Sequence, residues 1–316
     1  MKRLSTEDVP PRERLAFLHD FVGKHAAGMR FVPDDSARFR ADLAVLPLPG
    51  NVMVGAARYT GVSGDRGRDL LGDGRADYQL MIHAAAHQVA VDGGEPVEVG
   101  AGDLMLIDQG VAMRCRLPAT DLLCVNLDRA RLDAMVPRIA ARPLRVIPRS
   151  APNVALFAGY ANLVCGNPPA DEASARAASD HLYQLAALVL GECPDAISIR
   201  RGVGASRLAL VKQDILSRLR DPELDIAAVA RRQRVTPRYI QRLFGAEGTT
   251  FSDFLREARL DCAFRALARA GGGPSIAAIA FDAGFGDLSS FNRAFRRRYG
   301  RTPSEVRGEA LRRRPV

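Results

Sequence analysis

Cysteine is scarce in this chain, and its five cysteines are scattered at Cys115, Cys124, Cys165, Cys193 and Cys262. Their number is odd, and no two of them form a CxxC pair. Both facts argue against a disulfide framework and against a structural zinc site, because these need paired cysteines at short spacing. The cysteines therefore suit a reducing compartment and buried apolar positions.

Long apolar runs are also absent. No stretch approaches the ~18 consecutive apolar residues of a membrane span, and the amino terminus, MKRLSTEDVPPRER, lacks the hydrophobic region of a secretory signal. We therefore expect a cytoplasmic protein with no membrane partner. The sequence further lacks a GxSxG elbow, a P-loop and a glycine-rich dinucleotide run. Their absence removes the signatures of the corresponding enzyme classes.

Lysine is nearly absent, and arginine carries the positive charge. The 316 residues include 42 arginines and three lysines, with a net charge of +9. From Ala205 to the end there are 22 basic and 12 acidic residues, a net charge of +10, whereas the first 204 residues hold 23 basic and 24 acidic ones, a net charge of −1. A basic domain joined to a near-neutral one is typical of nucleic-acid binding. A solvated basic face is the alternative explanation.

The pattern of apolar residues changes along the chain, which is long enough for two domains of ~100–200 residues each. From about Leu43 to Leu127, eight or so short apolar runs alternate with turn residues, and this predicts a small β-barrel or sandwich. Residues 151–191 then show helical spacing and predict two helices joined by a short loop. The second of these helices carries an apolar stripe at Leu182, Leu185, Leu188 and Val189. Dimerisation and packing on the barrel explain this stripe equally well.

The last hundred or so residues contain one pattern twice. The first copy runs from Ile226 through a turn to Phe244, and the second runs from Ile276 through a turn at Gly284 to Phe295. The copies are 50 residues apart at their first isoleucine and 51 apart at their last phenylalanine, so the second turn holds one extra residue. Each copy predicts a short helix, a tight turn and a second helix, which is the helix-turn-helix arrangement that reads DNA.

The second helix of each copy has a buried face and an exposed polar face. Thr236 and Asp287 are candidate N-caps of these helices, and the spacing exposes Arg238, Gln241 and Arg242 in the first copy. In the second copy it exposes, wholly or in part, Leu288, Ser289, Asn292, Arg293, Arg296 and Arg297. Arginine matches the guanine edge and glutamine the adenine edge, but arginine also binds phosphates, so base and backbone contacts stay open. The leucine either contacts a thymine methyl or packs inside the domain.

These motifs resemble the tandem helix-turn-helix domain of the AraC/XylS family of bacterial transcription regulators. The second copy carries the runs Ile276-Ala-x-Ile-Ala280, Gly284-Phe285-x-Asp287-x-Ser289-x-Phe291-x-Arg293-x-Phe295-Arg296 and Gly300-x-Thr302-Pro303-Ser304. The first copy matches at Ile226-x-x-Val229-Ala230, Tyr239-x-x-Arg242-Leu243-Phe244, Gly248 and Arg259-Leu260. Val306 stands where the family usually has an aromatic residue, a departure that affects packing only.

The amino-terminal region resembles the cupin-like sensor domain found ahead of such DNA-binding domains, through the strand–turn–strand run from Val97 to Asp108. Together the resemblances imply an α+β two-domain fold, with a cupin-like β-barrel and helical hairpin followed by an all-α tandem helix-turn-helix domain. The implied segments are a sensor domain at 1–150, a hairpin with a possible dimerisation role at 151–191, a linker at 192–205 and an AraC-type DNA-binding domain at 206–316. The implied partners are double-stranded promoter or operator DNA, RNA polymerase, a small-molecule effector and a second copy of the chain.

An enzymatic function is the alternative of a different class. Metal-dependent cupin enzymes bind their metal through closely spaced histidines, and the only close pair here is His83 and His87. In one continuous strand their side chains share a face but lie ~13 Å apart, too far for one metal ion, unless residues 84–86 form a bulge or turn. We expect no catalytic residue, cofactor or metal. A constitutive DNA-binding protein whose barrel only dimerises remains the second alternative to a ligand-controlled regulator.

Overall fold

The computed structural model describes residues 1–26, 28–136, 139–191, 196–269 and 274–312. The chain divides into two compact units, Met1–Ser206 and Arg207–Val316. The described part of the first unit is rich in strands and that of the second is helical, which confirms the α+β two-domain class. None of the described helices is long and apolar enough to cross a membrane.

The described strands all belong to the first unit. They are β1 (Lys2–Ser5), β2 (Arg30–Pro33), β3 (Ala41–Leu48), β4 (Val52–Tyr59), β5 (Val62–Arg66), β6 (Tyr78–His83), β7 (His87–Val91), β8 (Val97–Val99), β9 (Leu104–Asp108), β10 (Met113–Leu117), β11 (Thr120–Leu127) and β12 (Leu144–Ile147). They pair antiparallel in two sheets, in the orders β1-β3-β4-β11-β6-β9-β12 and β2-β5-β10-β7-β8. The sheets do not close into the predicted barrel, because successive strands such as β6 and β7 pair in different sheets.

The first unit also contains helices. They are α1 (Arg14–His25), α2 (Arg129–Met135), α3 (Val154–Gly166) and α4 (Glu172–Val189). Short 3-10 turns occur at Thr6–Asp8, Pro11–Glu13, Arg68–Asp73 and Ile139–Ala141. The predicted hairpin is formed by α3 and α4, and it packs on the larger sheet, with α3 against β4 and β11 and α4 against β3.

The apolar stripe of α4 is buried inside the first unit. Leu182 and Leu185 have no exposed surface, Val189 is buried as well and Leu188 is half-buried. The hydroxyl of Tyr183 on the same helix accepts a hydrogen bond from the Asp128 backbone N–H at 2.8 Å and donates to the Gly50 carbonyl at 3.3 Å. Packing therefore accounts for the stripe. Dimerisation through residues 151–191 stays a prediction that the stripe no longer supports.

Arg66, at the end of β5, is buried although its side chain is charged. Only 1% of the residue is exposed. Its guanidinium donates to the Gln109, Gly28 and Arg75 carbonyls at 2.8–2.9 Å and makes two bonds of 2.8 and 2.9 Å to the Asp73 carboxylate. These contacts use every N–H of the guanidinium. The hydrogen bonds to this arginine lower the pKa of the Asp73 carboxyl well below its usual range.

The described cysteines have the properties of reduced thiols. Cys124 and Cys165 are buried, Cys115 and Cys262 are half-buried, and all four are unpaired, while Cys193 lies outside the described residues. Burial raises the pKa of Cys115 to about 11 and that of Cys124 to about 12. Both thiols are therefore neutral and unreactive near pH 7.

The second unit is built from helices. They are α5 (Ala196–Ser217), whose first residues still belong to the first unit, α6 (Ile226–Arg232), α7 (Pro237–Ala246), α8 (Phe251–Arg269), α9 (Ile276–Asp282), α10 (Leu288–Tyr299) and α11 (Pro303–Arg312). The sequence predicted a linker at 192–205 before these helices. Residues 196–205 of that segment are the first turns of α5, and residues 192–195 lie outside the described residues.

The helices of the second unit surround two apolar clusters. Ile240 and Phe244 of α7 belong to the first cluster, and Phe291 and Phe295 of α10 belong to the second. The long helix α8 contributes to both, with Phe251 and Leu255 in the first cluster and Leu260, Ala263 and Leu267 in the second. Because one continuous helix supplies side chains to both clusters, the two halves are held at a set distance from each other.

Candidate nucleic-acid interface and interior cavity

Each half of the second unit forms the helix-turn-helix that the repeat predicted. The four helices begin at capping side chains, because Asp225, Thr236, Ser275 and Asp287 each accept a hydrogen bond from a backbone N–H three residues further on. Such a cap satisfies one of the N–H groups that the first turn leaves free. The N-caps predicted at Thr236 and Asp287 are thus present.

The two turns contain the same backbone hydrogen bond and differ by one inserted residue. The N–H of Val235 donates to the Ala230 carbonyl at 3.0 Å, and the N–H of Phe285 donates to the Ala280 carbonyl at 3.1 Å. These bonds correspond at an offset of 50, whereas the caps correspond at 51, so the extra residue of the second copy is Gly286. The residue before this bond is left-handed in both turns, with Arg234 at φ 52° and Gly284 at φ 91°.

Gly284 lies where the two halves meet. A Cβ atom there would overlap the Leu219 carbonyl oxygen and lie 2.7 Å from Nε of Arg259. Arg259, on α8, donates to the carbonyl oxygens of Leu219 at 3.1 Å and Asp221 at 2.6 Å. This arginine therefore joins the loop before α6 to the turn of the second half. The sequence had marked Arg259 only through the family resemblance, since nothing in the local pattern reveals a carbonyl partner 40 residues away.

We expect Gly284→Ala to destabilise the second unit more than Gly300→Ala. Both glycines are left-handed, and alanine costs roughly 1–2 kcal/mol in that conformation. Nothing lies within 4 Å of a Cβ atom placed on Gly300. Gly300→Ala should therefore be destabilised only by its left-handed backbone conformation. Overlap with the Leu219 carbonyl adds about 1–3 kcal/mol at Gly284. Chemical unfolding of the two variants measures the difference, and equal losses would contradict it.

The exposed face of α7 consists of the three residues predicted from the sequence. Arg238, Gln241 and Arg242 are exposed, whereas Ile240, Leu243 and Phe244 are buried on the opposite face. The guanidinium carbon of Arg242 lies 5.0 Å from the centre of the Tyr239 ring one turn earlier, a cation–π contact that restricts the arginine on the surface.

The exposed face of α10 carries most of the residues predicted for it. The exposed side chains are Ser289, Asn292, Arg293, Arg296 and Arg297, and the buried pair is Phe291 and Phe295. Leu288 is half-buried and packs against the second cluster, which favours the packing role among the two that the sequence left open.

Acidic partners divide the arginines of the second unit into two groups. Arg298 at the end of α10 pairs with Glu257 at 2.5 Å and with Asp261 at 3.4 Å, and Arg232 of α6 pairs with Asp214 at 3.0 Å. Among the described residues, Arg238, Arg242, Arg293, Arg296 and Arg297 form no ion pair. Their charge therefore remains available to a polyanion. The exposed Arg234, in the turn before α7, belongs to the same group and was not among the residues predicted from the sequence.

The first unit contains an interior cavity of about 140 Å³. Residues of both sheets and of α1 line it, among them Met53 and Tyr59 of β4, Cys124 of β11, Met113 of β10 and Phe21 of α1. In the part of the chain that the structure describes, the lining includes no Asp, Glu, Lys or Arg side chain.

His83 and His87 lie together at one end of this region, because residues 84–86 interrupt the strand, the alternative that the sequence had left open to the ~13 Å separation along one continuous strand. His83 ends β6 and His87 begins β7, and the chain passes from one sheet to the other between them. Their ring centres are 4.1 Å apart, and the Tyr59 hydroxyl lies 3.0 Å from Nδ1 of His83. Among the described residues, no three His, Cys, Asp or Glu side chains form a group that could hold a metal ion.

Both units match known protein families. Residues 229–309 match a family described as "Helix-turn-helix domain", and residues 18–191 match one described as "AraC-binding-like domain". The second match alone covers more than half of the chain. The chain belongs to the AraC family of transcription regulators. In this family the first unit is the ligand-binding domain and the second unit is the DNA-binding domain.

Named relatives of this AraC-family chain are regulators too. It is 32% identical to the transcriptional activator RhrA of Rhizobium meliloti (strain 1021) over 214 residues, which is 67% of each chain. It is 35% identical to the transcriptional activator NphR of Rhodococcus sp. over 105 residues, 33% of this chain and 31% of that one. The crystal structure of the AraC-like transcriptional activator CuxR superimposes with a TM-score of 0.50 over 89% of this chain and all of CuxR, at 17% identity. At this level of identity, the similarity to CuxR concerns the fold alone.

Proposed function

We propose that this AraC-family regulator activates transcription by placing α7 and α10 in successive major grooves of its operator. The observation that carries this proposal is the pair of capped helices with exposed arginines, of which Arg238, Arg242, Arg293, Arg296 and Arg297 form no ion pair among the described residues, whereas Arg298 does. Helix-turn-helix proteins present the second helix of each motif to the major groove. Because α8 contributes to the core of both halves, it determines the spacing between α7 and α10.

The two helices divide the work of recognition in this proposal. On α7, Arg242 and Gln241 read base edges, since arginine pairs with two guanine acceptors and glutamine with adenine, and Arg238 adds a third contact at the same face. On α10, Ser289, Asn292 and Arg293 face the second groove. Arg296 and Arg297 at the end of α10 bind phosphates, which increases affinity without selecting a sequence.

The cavity of the first unit is the proposed binding site for a small-molecule effector. An enclosed apolar space with a few polar groups is the usual form of such a site, and its presence favours a ligand-controlled regulator over a constitutive DNA-binding protein. The effector controls DNA occupancy only if it binds one state of the protein more tightly than another. Two relatives are named transcriptional activators, and we extend the proposal to a contact between this protein and RNA polymerase.

DNA binding by the intact protein should weaken steeply as salt is added. Neutralising phosphates with arginine releases counterions, so the logarithm of the affinity falls with the logarithm of salt by about 0.9 per phosphate contacted. With about six to ten contacts, the affinity falls roughly 10³- to 10⁵-fold between 50 and 200 mM salt. Fluorescence anisotropy on labelled duplex DNA measures the slope. The folded segment 205–316, which holds the net charge of +10, should show the same salt dependence of DNA binding. Salt-independent binding would contradict the proposal.

A further inference from the structure

The cavity of the first unit is apolar over most of its surface. Phe21, Phe31, Met53, Met113 and Leu122 supply apolar walls. Tyr59 and His83, which are bonded to each other, supply hydrogen-bonding atoms at one place, and the uncharged amides of Gln79 and Gln109 and the imidazole of His25 also belong to the lining. No carboxylate, ammonium or guanidinium belongs to the described lining, so a charged ligand would lose its hydration there without gaining a partner of opposite charge.

The hydrogen-bonded pair formed by Tyr59 and His83 is neutral. Burial lowers the pKa of His83 to about 3 and raises the pKa of the Tyr59 hydroxyl. With Nδ1 of His83 bonded to Tyr59, Nε2 is a donor in one tautomer and an acceptor in the other. Nε2 of the neighbouring His87 is buried and has no hydrogen-bond partner among the described residues. A buried polar atom without a partner is unusual in a folded protein and marks this end of the region as incomplete.

The volume sets the size of the ligand. A dry cavity of about 150 Å³ accepts one benzene molecule, and the cavity here measures about 140 Å³. Two cysteines of the lining each face a glycine on the neighbouring strand, which makes room for their sulfur atoms. Cys124 lies opposite Gly55, and Cys115 lies opposite Gly64. A Cβ atom on either glycine would lie within 2.7–2.8 Å of the facing sulfur.

We propose that the effector is an uncharged molecule with a single ring and one hydroxyl, of the phenol class, whose ring occupies the cavity and whose hydroxyl bonds to His83. This inference rests on the proposed effector site. A hydroxyl both donates and accepts, so it suits Nε2 in either tautomer. A sugar would bring hydroxyls around its whole ring to walls that are mostly apolar, and each one left unbonded opposes binding.

Titration calorimetry of the intact protein tests the ligand class with phenol and three matched compounds. Toluene has the same shape with a methyl group for the hydroxyl, benzoate adds a charge, and 2-naphthol adds a ring. We expect phenol to bind, toluene to bind roughly 10-fold more weakly because His83 loses a partner, and benzoate and 2-naphthol to give no measurable binding. No binding of phenol, or binding of benzoate as tight as that of phenol, overturns the proposal.

The variant His83→Phe isolates the hydrogen bond because it keeps an aromatic ring and removes both nitrogens. We expect phenol and toluene to bind it equally. Where this variant does not fold, nitrogen-15 NMR of histidine-labelled wild-type protein replaces it. Phenol should then shift the ring-nitrogen signals of His83, and toluene should leave them in place. A retained preference for phenol in the variant, or unshifted nitrogen signals, assigns the hydroxyl elsewhere and overturns the role of His83.

The failure of this inference is distinguishable from the failure of the proposed function. Salt-dependent binding of the same protein sample to duplex DNA is measured alongside the calorimetry. If phenol does not bind and DNA does, only the ligand class is wrong. If DNA does not bind either, the proposed regulator function is wrong as well.

Discussion

Arg242→Ala will remove much of the protein's ability to tell its operator from random DNA. Arg242 is exposed on the face of α7 opposite Ile240 and Phe244, it has no acidic partner among the described residues, and the Tyr239 ring restricts its direction. A good bidentate contact with a base distinguishes the correct base from a wrong one by about 5- to 150-fold. The ratio of specific to non-specific affinity should therefore fall by that factor, as measured by anisotropy on an operator selected from a random duplex library.

Other arginine variants serve as controls for the loss of charge. Arg296→Ala and Arg297→Ala should weaken binding to the operator and to random DNA alike, since phosphate contacts carry no sequence information. Arg265→Ala removes an exposed charge from α8, outside both recognition helices, and should leave the ratio unchanged. If Arg242→Ala lowers both affinities by the same factor, Arg242 binds the backbone and the assignment of base reading to α7 is wrong.

Arg66→Met should destabilise the first unit by about 3–5 kcal/mol, the range for breaking a buried ion pair by removing one partner. Methionine fills a similar volume but leaves the buried Gln109 carbonyl, the Gly28 and Arg75 carbonyls and the Asp73 carboxylate without their donor. These groups belong to segments around residues 28, 73–75 and 109. Arg66 bonds to all of them, so its removal loosens their packing around β5 at the same time. Urea unfolding followed by circular dichroism gives the free energy of unfolding.

The effect of Arg66→Met should depend on pH in a direction set by Asp73. The folded protein holds the pKa of Asp73 below its usual value near ~4 because of its hydrogen bonds to Arg66. A carboxyl of this kind stabilises the fold above its unfolded pKa and loses that contribution as the pH falls through its folded pKa. The difference in the free energy of unfolding between wild type and Arg66→Met should therefore be largest near pH 7 and decrease below about pH 4.

Arg58→Met is the matched control for this prediction. Arg58 also pairs with an aspartate, Asp121 at 2.6 Å, but 76% and 58% of the two side chains are exposed. Exposed ion pairs contribute little to stability because water and salt screen them. A loss at Arg58 as large as the loss at Arg66 would show that burial is not the source of the effect.

Features of the chain that depend on residues close together in sequence were predictable. The two helix-turn-helix copies, the caps at Thr236 and Asp287 and the exposed face of α7 all follow from patterns within segments of 20 residues or fewer. Helical periodicity places Ile240 and Phe244 on one face whatever the rest of the chain does. The charge difference between the two halves of the chain was likewise readable without a structure.

Features that depend on distant residues needed the structure. The strand pattern predicted a barrel or a sandwich, and only the pairing between strands that are far apart in sequence decided for two sheets. The stripe at Leu182 and Leu185 suited a dimer or a core equally, and only the position of α4 on the larger sheet decided for the core.

The same division applies inside the sites. The sequence left open whether His83 and His87 lie apart on one strand or close together across a turn, and the crossing between the two sheets brings their rings together. Nothing near Arg66 or Arg259 in sequence indicates their carbonyl partners, which lie up to 43 residues away. The sequence alone determined the helices of the two helix-turn-helix motifs, because helix formation and capping are local. Only the tertiary structure decided the cavity, its neutral histidine and the brace between the two halves, because these arise where segments distant in sequence pack and desolvate one another.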